Sequence, residues 1–216
     1  MRKVLLMRKA VLALTAVLFG TTILCAQSPV EQLPAGEQVS GWAVEAIPIG
    51  DQGPSRSQRM PPSIQKYAGD RGIARFPVSP DVFSSTQFNQ ATGALQSAFN
   101  GRAFLRVTAV QRYAFIIVAV AHARMAYSEC ELAMQVGGRW IINDRYVIAN
   151  QGRRVMPSIL NGAVDLQPGI YPVEFVTGCP HANDIGEIEV AFTVRGERDA
   201  SPRKFGKDEL FHVLRQ

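Results

Sequence analysis

Apolar and polar residues alternate along most of this chain with the two-residue period of β-strands. From Arg102 to Val110, Ala103, Leu105, Val107 and Ala109 point one way and Phe104, Arg106, Thr108 and Val110 the other, as a half-buried strand requires. Cys130 to Val136 sets Cys130, Leu132, Met134 and Val136 inward against Glu131, Ala133 and Gln135. Gly137-Gly138 follows as a hairpin turn that needs positive φ, and Arg139 to Ile142 returns. Ile170 to Val176 sets Tyr171, Val173 and Phe175 against Glu174, and Glu187 to Val194 alternates in the same way. Pro172 marks its run as an edge strand or as a position whose missing N–H has no partner. Tyr113 to Ala121, YAFIIVAVA, has no polar face at all, which predicts a central strand covered on both sides.

Outside these runs the pattern loosens. Gly41 to Ile47 is a short strand stopped by Pro48, and Gly50 to Gly72 carries three prolines, four glycines and few large apolar residues, as a linker does. Ile73 to Gly93 is expected to be irregular because Pro77 and Pro80 interrupt its apolar positions. Phe205 to Leu214 predicts a short helix with Leu210, Phe211 and Leu214 on one face. Short strands separated by Gly, Pro and Asn turns predict an all-β fold, an antiparallel, jelly-roll-like β-sandwich. Its expected span is residues 94–196, after an extension over 27–93 and before a tail over 197–216.

The N-terminus changes how charge is read. Arg2, Lys3, Arg8 and Lys9 precede an apolar run from Ala10 to Leu24, and small Ala26 ends it, so residues 1–26 read as a cleaved signal peptide. The mature chain is then expected in the periplasm or outside the cell, with no membrane span. Cleavage removes four of the 23 basic residues and none of the 18 acidic ones, leaving the remainder near neutrality. A nucleic-acid partner, which wants a basic face, loses its support.

Cys130 and Cys179 remain after Cys25 is removed, and in an exported chain a disulfide is expected between them, pinning the two layers together. Of the three histidines, His122 lies beside a core run, and Cys179 and His181 would point apart on extended chain. No serine elbow, paired-histidine zinc motif or phosphate-cradling glycine loop is present, so no enzyme activity, metal or cofactor is expected. Binding is what remains. Trp140, Tyr146 and Trp42, with Tyr127, are the aromatic candidates for stacking on a ligand, and Phe205, Leu210, Phe211 and Leu214 are the candidates for docking a partner.

Several segments together resemble the β-sandwich domain named after anthrax toxin protective antigen, over about residues 100–194. They are Phe99-Asn100-Gly101 leading into a strand, Tyr113-Ala114-Phe115 opening a central one, the Leu132 to Trp140 hairpin, and Asp165-Leu166-Gln167-Pro168-Gly169-Ile170-Tyr171 before another strand. The resemblance implies a scaffold used in adhesins, glycosidases and envelope proteins. In its sugar-binding members adjacent aspartates hold calcium. Here the corresponding stretch is Ala121-His122-Ala123-Arg124, with no carboxylate. The leading expectation is therefore an exported, non-catalytic component of an envelope assembly such as a pilus, secretion or conjugation apparatus, with other envelope proteins as partners. The alternative is a calcium-independent carbohydrate-binding module with a glycan as ligand.

Overall fold

The computed structural model describes residues 29–48, 72, 74–86, 97–123, 127–151, 154–155, 157–179 and 185–214. The expected signal peptide over 1–26 and nearly all of the proline-rich stretch over 50–72 lie outside these residues, as do His181 and the side chains of His122, Tyr127 and Tyr146. The described residues form strands β1 (Glu37–Ser40), β2 (Trp42–Pro48), β3 (Ala74–Val78), β4 (Val82–Ser84), β5 (Ser97–Val107), β6 (Gln111–Ala123) and β7 (Tyr127–Val136). They continue with β8 (Arg139–Gln151), β9 (Arg154–Val155), β10 (Ser158–Leu166), β11 (Gly169–Gly178), β12 (Ile185–Gly196) and β13 (Leu210–Leu214). Among them no helix is long and apolar enough to cross a membrane.

The strands make two antiparallel sheets, so the chain is the all-β sandwich its alternation predicts. One is 9-stranded, ordered β1-β13-β5-β11-β7-β8-β9 with β2 attached at β5 and β3 at β2; the other is 4-stranded, ordered β10-β6-β12-β4. The inward rows meet in one core. At its centre Trp42 lies edge-on to Phe175, their ring centroids 5.0 Å apart, and Phe83, Phe99 and Phe192 close around them. Gly101 makes this stacking possible: a Cβ there would stand 2.0 Å from the Phe175 ring. The hairpin at Gly137-Gly138 has φ of 58° and 80°, the positive pair that lets a two-residue turn follow the strand twist.

Several expectations change in three dimensions. The predicted helix over Phe205 to Leu214 is instead a connection followed by β13, which pairs with β1 and β5. The edge of the sheet offers that segment backbone partners, which outweighs its helical spacing. Within the stretch expected to be irregular, β3 pairs with β2 and β4 pairs with β12, each kept short by proline or turn residues. Strands from before residue 94 and after residue 196 thus lie in the same two sheets as the central ones. β11 is interior, between β5 and β7. Pro172 lies one residue beyond the last β11–β7 pair, Val173 with Val136, and its carbonyl accepts from Gly137 N–H at 2.8 Å at the tip of the β7–β8 hairpin.

Cys130 and Cys179 are bonded, as expected, 49 positions apart in the chain. The bond joins neighbouring strands of the larger sheet, beside the Glu131–Gly178 pair, and does not tie the two layers together. That layer-to-layer tie comes from the segment after β12. Arg203 exchanges backbone hydrogen bonds with Val194, both at 2.9 Å, and its guanidinium grips Glu209 with two bonds of 2.6 and 2.9 Å. Between them Phe205 turns inward against Phe115.

Candidate functional site

The site begins where β1 and β2 change partners. Gly41, at φ 99°, separates β1, which pairs with β13, from β2, which pairs directly with β5. Gly41 N–H donates to Leu210 O at 2.9 Å, and the Gly41 carbonyl faces Nδ1 of the buried His212 at 3.2 Å. Ala43, paired with Arg102, joins the outward row of β5, and His212 of β13 lies close by. There they border a cavity of about 340 Å³, lined also by Pro34, Phe104, Pro172, Arg102, Glu174 and Gln135.

Register sets the polar side of this cavity. Gln135 of β7 pairs with Glu174 of β11, Glu174 with Arg102 of β5, and Arg102 with Ala43 of β2, so the side chains form one row across four strands. The carboxylate of Glu174 accepts from Arg102 Nε at 3.2 Å on one oxygen and from Gln135 Nε2 on the other. Glu174 is only 12% exposed and Arg102 32%, so the pair is sheltered but reachable from the cavity. One row further on, Phe104 and Pro172 face each other across β5 and β11 and give the pocket an apolar wall. Gly138 stands at the mouth, with nothing within 4 Å of where a Cβ would lie.

The arrangement places hydrogen-bond donors (guanidinium, amide), acceptors (carboxylate, amide oxygen) and an aromatic ring around one hollow. That combination orients a polyhydroxylated small molecule: its hydroxyls exchange with planar polar groups while its C–H face lies on an apolar wall. Among the described residues no group of three or more His, Cys, Asp or Glu is arranged to hold a metal ion.

The residues singled out from the sequence fall elsewhere. Trp42 is fully buried, its indole N–H donating to Pro80 O at 3.2 Å, so it is a core residue with no ring face open to a ligand. Trp140 does reach the outer face. A bulge in β8 lets Gln135 pair with Trp140 and Met134 with Ile142, which turns Trp140 outward and Ile142 into the core. Trp140 packs on Ile47, Ala98, Ala133 and Val176, beside the pocket but not in it. That outer cluster also explains why Ala133, expected to face solvent, is buried; Glu131, expected outward as well, is buried too. Tyr127 and Tyr146 belong to β7 and β8, but where their side chains go lies outside the described residues.

The four docking candidates serve the fold itself. Phe205 and Leu210 are in the core, and Phe211 lies under the Arg106 guanidinium at 4.9 Å and beside Phe104 at 5.8 Å. Leu214 alone of the four is exposed. Conversely, Arg102, Glu174, Gln135 and His212 escape sequence reasoning. The first three look like ordinary outward residues of strands and His212 falls in the segment expected to be helical, so only the pairing of β5, β7, β11 and β13 brings them together.

No protein-family model matches this chain, and no curated protein matches it by sequence. Solved structures resemble it in fold. The PA14 domain of the antifreeze protein MpAFP superposes with a TM-score of 0.51 at 9% identity, over 85% of this chain and 96% of that one. At that identity the likeness shows a shared fold. An anti-sigma factor domain-containing protein matches at TM-score 0.49 and 11% identity, over 85% of this chain, which spans 51% of its length. The A domain of epithelial adhesin 6 from Candida glabrata, solved with Galb1-3GlcNAc, matches at TM-score 0.47 and 11% identity, over 86% of this chain and 93% of that one.

Proposed function

We propose that this chain is an exported, non-catalytic β-sandwich of the protective-antigen type that binds a glycan in the pocket over β5, β11 and β7 without calcium. The observation that carries the reading is the Gln135–Glu174–Arg102 row beside Phe104 and Pro172 in a hollow of about 340 Å³, a volume that suits one or two sugar rings. The fold shared with a PA14 domain supports the scaffold half of this reading. The bonded cysteine pair supports an oxidising compartment, outside the cytoplasm. The assembly role through the C-terminal segment has less support, since Phe205, Leu210 and Phe211 are occupied within the fold.

Calorimetry or array binding of glycans to the purified protein tests this. Binding is expected with and without a chelator, unchanged in Trp140→Ala and weakened about tenfold or more in Glu174→Ala, which removes the acceptor that organises both donors. Absence of glycan binding overturns the reading. Binding abolished by chelator overturns its calcium independence, and binding lost in Trp140→Ala but kept in Glu174→Ala moves the site away from the pocket.

A further inference from the structure

The outer face of the smaller sheet is apolar where a solvated face should not be. β6 lies in its interior, and only one side of that strand is buried in the core, through Tyr113, Phe115, Ile117 and Ala119. Its other side, Ala114, Ile116, Val118 and Val120, is half-buried and turned away from the core that the two sheets share. Of the two covered faces expected for this strand, the described residues bury one fully and the other by half. Register extends the apolar surface sideways. Ile159 pairs with Val118, Val118 with Ala191, and Ala191 with Val82, so one row is apolar across all four strands. Its two ends are the most open: Ile159 is 64% and Val82 40% exposed.

Charge is distributed about this row with opposite sign at its two ends. Along β12 the outward residues run Glu187, Glu189, Ala191, Thr193, Arg195, acidic at one end and basic at the other. Near the basic end Arg112 of β6 pairs with Asp165 of β10 at 3.5 Å, and near the acidic end Ser84 Oγ donates to Glu187 at 2.7 Å. A surface that is apolar in the middle, acidic at one end and basic at the other is complementary to itself. A two-fold axis lying between two such faces, across the strands, runs each β12 antiparallel to its copy. Glu189 of each copy then meets Arg195 of the other, while Ile116 and Val118 interdigitate.

We propose that this face is the interface of a homodimer, two smaller sheets packed face to face about that axis. The occupant is a second copy because any other partner would have to supply the same polarity by coincidence, whereas the two-fold supplies it by construction. A face of this width and length buries roughly 1,000 Å² in total from both copies, the lower end for a specific interface. Micromolar self-association is the expectation, and the pocket of the larger sheet stays open on both copies.

Sedimentation velocity and light scattering on the purified chain across the micromolar range test it. The dimer mass is expected at the upper concentrations. Ile159→Lys, on a side chain too exposed to be needed for folding, is expected to give the monomer with an unchanged thermal transition. Glu189→Arg and Arg195→Glu should each weaken the dimer roughly tenfold or more, and the combined variant should restore it, because the exchanged charges meet again across the axis. A wild-type chain that stays monomeric throughout, a dimer indifferent to Ile159→Lys, or two single reversals that are not rescued when combined overturns the proposal. A monomer that floats with phosphatidylcholine vesicles assigns the face to a lipid surface, which also overturns it.

Discussion

On the outer face of the larger sheet the row through Gln135, Glu174 and Arg102 is polar and joined by hydrogen bonds, whereas on the smaller sheet the row through Ile159, Val118, Ala191 and Val82 is apolar from edge to edge. The inner faces of the two sheets are alike: each contributes aliphatic and aromatic side chains to one core. The outer faces differ because nothing in the fold dictates them. A polar row that pairs its own charges beside a hollow is suited to small ligands that exchange hydrogen bonds. An apolar row suits a flat, dry partner. One sandwich thus has room for two kinds of recognition, back to back and without competition.

The largest expected effect removes the frame that both faces share. The double variant Cys130→Ala/Cys179→Ala opens a loop of 49 residues and should cost about 4 kcal/mol on the chain-entropy account. In thermal unfolding that is a fall of roughly 10 °C, and glycan binding and self-association should weaken together. If one survives intact while the other is lost, the frame is not common to both.

A bulky residue under the pocket separates the two faces. Gly101→Val places a branched side chain against the Phe175 ring, which a Cβ alone would already meet at 2.0 Å, and should cost roughly 2–3 kcal/mol through displaced packing. Because Phe175 adjoins Glu174 on β11, glycan affinity should fall with stability, while the mass in sedimentation velocity at room temperature should hold.

Smaller still is Arg102→Ala. It removes the ion pair with Glu174 and should lower stability by about 1 kcal/mol or less, since the pair is partly exposed. Its effect on ligand binding should be larger than that, and calorimetry beside thermal unfolding distinguishes the two.

The mildest change concerns the segment that ties the sheets. Asp199 is held below the usual carboxylate range, first by the hydrogen bond from Gly196 N–H and then by the Arg203 charge. A lowered folded-state value means its contribution is fully present above its unfolded-state value and is lost as pH falls through the folded one. Thermal unfolding should therefore show a small destabilisation below about pH 4 that Asp199→Asn reduces.

Much of the fold was legible in the chain. The alternation in Arg102 to Val110, Cys130 to Val136 and Glu187 to Val194 becomes β5, β7 and β12 with the expected residues in the core, save Ala109, which is exposed beyond the end of β5, and the glycine pair at 137 and 138 makes the turn it promises. The pocket was not legible. Arg102, Gln135 and Glu174 are 33 and 39 residues apart in order, and each alone is an unremarkable outward polar residue. Trp42 and Trp140 drew attention as aromatics, yet one is in the core and the other is turned aside by a bulge in β8.

By itself the sequence determined that the chain makes strands, which side of each is apolar, and that two cysteines would meet. Those properties follow from a local period of two and from the chemistry of single residues. Tertiary structure alone decided that Phe205 to Leu214 closes a sheet as β13, that Gly41 splits one strand between two partners, and that three polar residues line one hollow. These depend on which strand lies beside which, and at what register. A difference of one residue in register turns a side chain to the opposite face, and no local pattern records it.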